Sequence, residues 1–173
     1  MVVNQKKKIT TYKIYEIWKG EKEMSLSTVK GLQSEIFVPI TPPPVWAPVT
    51  KELKDMTVAL ATAAGVHLKS DKRFNLAGDT GYRGVPDTAT PEELMVSHGG
   101  YDNSDVNRDI NCMFPIERLH ELVKEGFIKA VAPMHYAFMG GGGNQHVFTE
   151  ETGPAIAQKL KEEGVDAVVM TAG

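Results

Sequence analysis

One cysteine in 173 residues removes several functions at once. Cys112 cannot close a disulfide within its own chain, and alone it cannot build a cysteine-rich zinc or iron–sulfur centre. That usage fits a reducing cytoplasm, which is the expected location. Long apolar runs are missing too: nothing approaches the roughly 18 residues that a transmembrane helix needs. Lys6, Lys7 and Lys8 precede ITTYKIYEIW, but Lys13 and Glu16 interrupt the apolar core that a signal peptide requires. Basic charge is not in excess either. The net charge of −3 points to neither nucleic acid nor an anionic membrane surface as a partner.

What is present is ordinary for a soluble domain: 42% apolar and 24% charged residues, in a length that can bury a core. Residues 1–23 differ from the rest. They carry six lysines against three glutamates and no clean hydrophobic period, and they read as a poorly ordered N-terminal extension. Residues 24–173 read as the N-terminal part of an α/β domain. Within them SEIFVPITPPPVWAPV enters a run of prolines, Pro42 to Pro44, which imposes an extended connector and places Trp46 against the core.

Beyond that point strands and helices alternate. MTVALATAAG is a short apolar run closed by Gly65, as in a buried strand, and Leu94 to Val96 form a second brief one. FPIERLHELVKEG is a helix: Ile116, Leu119, Leu122 and Val123 share a face, with Pro115 at the start and Gly126 past the end. FIKAVAPMHYAFMGGGG reads as strand and glycine-rich loop. TEETGPAIAQKLKEEG is a second helix, and VDAVVMT a further buried strand. The order implies a mostly parallel, right-handed α/β sheet flanked by helices, Rossmann-like and incomplete at its C-terminus.

Such sheets bind ligands beyond the carboxyl ends of their strands. SHGGYDNSD, MGGGGNQ and whatever follows VVMTAG occupy those places. The candidate substrate-site residues are therefore His98, Asp102, Asn103, Gly140, Gly141, Gly142, Gly143 and Asn144, with glycines that let main-chain N–H groups approach a ligand. The glycine run is not a P-loop, since Asn144 and Gln145 stand where G-K-[ST] belongs. His98 and Asp102 have the spacing to hydrogen-bond, and either can hold or transfer a substrate proton. Ser97 beside His98 is not the geometry of a nucleophile and its base. His67, His120, His135 and His146 are scattered, each read as structural, and no metal is expected. Cys112, in an apolar stretch with no activating cation, reads as a buried, inert thiol.

Taken together, MSLSTVKGLQSEIFVPITPPPVWAPVTKELKDMTVALATAAGVHLKSDKRFNLAGD, SHGGYDNSDVNRDINCMFPIERLHELVKEGFIKAVAP, FMGGGGNQ and TEETGPAIAQKLKEEGVDAVVMTAG resemble one family over residues 24–173. It is that of the selenoprotein B components of glycine, sarcosine, betaine and D-proline reductases. The early position of the segment favours the D-proline members. The resemblance implies reductive cleavage of the D-proline ring to 5-aminovalerate, coupled to dithiol oxidation. It implies a selenocysteine directly after Gly173, so no catalytic residue within these 173 positions and an inactive chain on its own. It further implies a covalent pyruvoyl group on a partner subunit, a thiol or selenoprotein electron donor, and an oligomeric complex acting on a small amino acid. Two other readings stay open. One is a non-catalytic assembly module, and the other an anion- or nucleotide-binding domain built on the glycine run, against which the missing lysine counts.

Overall fold

The computed structural model describes residues 47–140 and 144–172. The N-terminal extension, the proline run with Trp46, Gly141 to Gly143 and Gly173 lie outside the described residues. From Val49 onward these residues form one unit. Among them are seven strands: β1 Thr57–Thr62, β2 Val66–Leu68, β3 Tyr82–Pro86, β4 Leu94–Val96, β5 Ala130–Val131, β6 Met134–Phe138 and β7 Ala167–Thr171. The principal helices are α1 Ser104–Arg108, α2 Ile116–Lys124 and α3 Gly153–Glu162.

β1 is the centre of a five-stranded sheet. One edge of it pairs in parallel with β7 along its length, from Val58 opposite Ala167 to Thr62 opposite Thr171. The other edge pairs in parallel first with β5 and then with β6. Those two are nearly one strand, broken at Pro133, which has no N–H to contribute to a ladder. β3 closes the far side, antiparallel to β6, with Tyr82 opposite Phe138. The chain thus has an α/β fold with a mixed, mostly parallel sheet.

Alternation along β1 explains how both faces are covered. Val58 and Leu60 pack with Phe114, Ile116 and Leu119 on the α2 side. Ala59 packs with Tyr136, Ile156 and Leu160 on the α3 side. The apolar face read from the sequence of α2 is the one that packs: Ile116 and Leu119 are buried, and Leu122 and Val123 lie against the same cluster. Each buried side chain of that size contributes about 1.5–3 kcal/mol of apolar transfer.

Three expectations change. β4 does not join the parallel sheet. It pairs antiparallel with β2 in a separate two-stranded sheet, Val66 opposite Val96. β7 is not buried: Val168, Val169 and Met170 are 38%, 41% and 68% exposed, because β7 is paired to β1 on one edge and the helices centre on β1 and β6. Cys112 is exposed, since it ends a short 3-10 turn in which Ile110, not the cysteine, faces the core. Among the described residues no helix is long and apolar enough to cross a membrane.

Candidate functional site

The carboxyl ends of β1, β6 and β7 and the amino end of antiparallel β3 all reach the same rim of the sheet. Small residues hold their chains close there. The Gly140 N–H donates to the Ala63 carbonyl at 2.9 Å, and the Ala63 N–H to the Thr171 carbonyl at 3.0 Å. A side chain on Gly140 would place its Cβ 3.1 Å from that of Ala63, a tight contact that one of the two chains would have to yield to by a few tenths of an ångström. The Thr171 hydroxyl donates to the Met113 carbonyl and ties the end of β7 to the turn before α2.

Gly65 turns the chain from β1 into β2. Its φ of +71° lies in the left-handed region, and a Cβ there would run into the Ser97 carbonyl oxygen. The Ser97 N–H donates back to the Gly65 carbonyl at 2.9 Å, so the end of β4 is delivered to the rim. The segment Ser97 to Asn103 follows directly, although β4 lies outside the parallel sheet to which the strand-end rule applies.

His98 is the joint between this segment and the glycine run. Its Nε2 lies 2.9 Å from the Gly140 carbonyl oxygen, and its Nδ1 lies 2.9 Å from the Gly100 amide nitrogen. A carbonyl only accepts and an amide N–H only donates, so the pair of contacts selects the neutral ring with its proton on Nε2. Both nitrogens are taken up by main chain. The ring is buried and stacks obliquely on Tyr101 at 4.8 Å, whose hydroxyl donates to the Ala64 carbonyl. Gly100 must be a glycine for this contact, because a Cβ would approach His98 Cε1 to 2.8 Å. Asn103 donates from Nδ2 to the His98 carbonyl, which leaves its buried Oδ1 without a partner.

The other candidates sit differently. Asp102 is exposed and accepts from the Ser104 N–H at 2.9 Å, a bond that holds its carboxyl below the usual range. It makes no bond to His98. Asn144 caps the helical segment that leads to α3, accepting from the His146 N–H at 3.0 Å. The structure therefore joins His98, Asn103 and Gly140, leaves Asp102 at the exposed margin, and assigns Asn144 a capping role. Gly141, Gly142 and Gly143 lie outside the described residues.

Two polar clusters escaped sequence reading. His67 and Ser97, both buried, meet at 2.8 Å between Nε2 and Oγ. Their strand pairing brings them together, and no local pattern announces it. The second cluster is Asp87 with His120 and His135. Asp87 Oδ1 lies 2.9 Å from His120 Nε2 and 3.4 Å from His135 Nε2. The Leu60 N–H donates to His135 Nδ1 at 3.0 Å. The neutral ring must then keep its proton on Nε2, where a metal would need the lone pair. Among the described residues no three histidine, cysteine, aspartate or glutamate side chains form a metal-holding group. Burial pushes His135 below its ordinary pKa, with Asp87 opposing.

The family model for glycine/sarcosine/betaine reductase selenoprotein B matches residues 23–173. The chain is 72% identical over 148 residues to D-proline reductase subunit gamma of Acetoanaerobium sticklandii, a match covering 86% of this chain and 61% of that one. It is 31% identical over 160 residues to glycine reductase complex component B subunit gamma of Carboxydothermus hydrogenoformans, covering 86% of this chain and 36% of the relative. With sarcosine reductase complex component B subunit beta of Peptoclostridium acidaminophilum the identity is 29%, over 83% of this chain and 35% of the relative. The chain thus spans less than two thirds of the length of each of these relatives. No solved structure matches it.

Proposed function

The chain belongs to the glycine/sarcosine/betaine reductase selenoprotein B family, and on that premise we propose that it is part of a D-proline reductase subunit. The reaction is reductive opening of the D-proline ring to 5-aminovalerate with oxidation of a dithiol. The observation that carries this reading is the 72% identity to D-proline reductase subunit gamma, against 31% and 29% to the glycine and sarcosine components. The subunit works in a heteromeric complex with a pyruvoyl-bearing partner and a thiol or selenoprotein electron donor, in the cytoplasm.

The reacting selenocysteine belongs directly after Gly173. Ala63 and Gly140 lie close together at the rim, and Thr171 near the end of β7 is anchored to Met113. When present, the selenolate supplies the nucleophile and the partner's pyruvoyl carbonyl activates the ring nitrogen.

This chain's own residues position the substrate. His98 clamps the Ser97–Asn103 segment to Gly140, and its fully engaged ring makes it a positioning group. Asp102, kept ionised by the Ser104 N–H, is a weak base, so it holds the substrate's ammonium and does not remove its proton. Asn103 Oδ1, buried and without a partner, is the unused acceptor of the same segment.

The test begins with the coding frame beyond the Gly173 codon. A UGA codon there is expected, and any other codon would overturn the selenocysteine assignment. The extended selenoprotein with its pyruvoyl partner should convert D-proline in the presence of dithiothreitol, and the 173-residue form should not. Turnover of glycine, sarcosine or betaine instead moves the assignment to a sister enzyme. A non-catalytic assembly role is the second reading, favoured by the exposed apolar residues of β7. Binding of the pyruvoyl partner with no turnover of any of these substrates would select it.

A further inference from the structure

The geometry points to a second reactive centre, a serine nucleophile at Ser97 activated by His67, independent of the reductase reading. Three contacts define it. His67 Nδ1 lies 2.7 Å from the Leu68 carbonyl oxygen, which can only accept, so the imidazole proton is on Nδ1. The Nε2 lone pair is therefore free to accept, and Ser97 Oγ lies 2.8 Å from it. The hydroxyl hydrogen points at the base. A nucleophile, a base within hydrogen-bond reach and a third group fixing the base's tautomer make the arrangement of acyl-transfer dyads, with a main-chain carbonyl as the orienting acceptor.

The fold spends several constraints on keeping it. The β2–β4 pairing sets His67 opposite Met95, two positions before Ser97. Gly65 admits the Ser97 carbonyl at a place where any side chain would displace it. Phe74 packs edge-on against the imidazole at 5.8 Å and leaves the ring one orientation. His67 is fully buried, whereas Ser97 retains 8% exposure next to the exposed Gly99 and Gly100. The exposed Gly99–Gly100 turn is the side from which a substrate would have to reach Ser97 Oγ, and a small activated ester is the substrate class with the least bulk to bring there.

In the reaction Ser97 Oγ bonds to the ester carbonyl carbon as its proton passes to His67 Nε2. The C–O bond to the leaving group then breaks, and the leaving oxygen takes the proton from Nε2. Water, deprotonated by the same nitrogen, later releases the acid and restores the hydroxyl. No oxidant or reductant is required. The Ser97 amide is committed to the Gly65 carbonyl, so the acceleration expected is that of base activation, about 10²–10⁴-fold.

The test uses the full chain with a fluorophosphonate probe, peptide mass mapping and p-nitrophenyl acetate turnover. A phosphonyl adduct on Ser97 is expected. Ser97→Ala should abolish it, and His67→Gln should slow adduct formation by about 100-fold or more with an unchanged circular dichroism spectrum. Should His67→Gln fail to fold, Ser97→Cys in a Cys112→Ser background reads the same base. Its alkylation by iodoacetamide should titrate well below the free-thiol value of about 8.5. Absence of an adduct at Ser97, or an alkylation midpoint at or above the free-thiol value, would overturn the proposal and leave the pair a buried structural hydrogen bond.

Discussion

TVALAT of β1 and AVVMT of β7 have nearly the same character and lie side by side in parallel register, yet they meet opposite surroundings. Every β1 residue after Thr57 is buried, whereas the three central residues of β7 are all exposed. The difference is one of position. β1 has a strand on each edge and a helical layer on each face; β7 has β1 on one edge, and it is Ala167 at its start that packs against the cluster under α2. Apolar, β-branched composition earns a strand its place in a sheet. Burial comes from the neighbours it finds there.

The largest expected consequence is at Leu60. Truncating it to alanine removes a buried side chain that cannot be replaced by solvent, and urea unfolding should show a loss of about 2–5 kcal/mol. Next is Gly65→Ala, where β1 turns into β2. Left-handed backbone strain alone costs about 1–3 kcal/mol, and displacement of Ser97 adds to it. A fully stable Gly65→Ala variant would show that the rim relaxes more freely than its contacts imply.

A smaller effect concerns pH. His135 supports β1 by accepting from the Leu60 N–H, and burial depresses its pKa below the ordinary 6.5. The unfolded chain then binds more protons than the folded one between the two values, so stability falls as pH drops through 6.5 toward the folded-state pKa. His135→Asn keeps an acceptor at the equivalent position without a titratable ring. It should flatten the acid slope of stability, measured by thermal unfolding between about pH 7 and 5.

The smallest change is expected on β7. Met170→Lys should alter stability by no more than about 0.5 kcal/mol and should reduce self-association, because it places charge on an exposed strand at the sheet's edge. A loss as large as that of Leu60→Ala would erase the contrast between the two strands.

Much of this fold was legible in short windows. Ile116, Leu119, Leu122 and Val123 announced the buried face of α2, and Pro115 and Gly126 its ends. The run from Thr57 to Thr62 announced a buried strand. β3 escaped because YRGVP has neither alternation nor a sustained apolar run, and its pairing with β6 alone makes it a strand. At the rim, the Ser97–Asn103 segment and Gly140 were legible through their glycines and their place after strands. That His98 joins them was not, since the partners are 42 positions apart. Nor could the sequence pair Ser97 with His67, 30 positions earlier, in preference to the histidine beside it.

The sequence by itself determined the secondary structure with a strong period, the class of fold and, through resemblance, membership of the selenoprotein B family. Those properties depend on side-chain spacing and backbone preference within a few residues, or on similarity along the whole chain. Tertiary structure alone decided which apolar strand is covered, which nitrogen of His67, His98 and His135 carries the proton, and which serine faces a base. Each of these is set by a carbonyl, amide or side chain brought in from elsewhere in the fold. A hydrogen-bonding group takes its chemical state from the partner it meets, and only the folded chain supplies that partner.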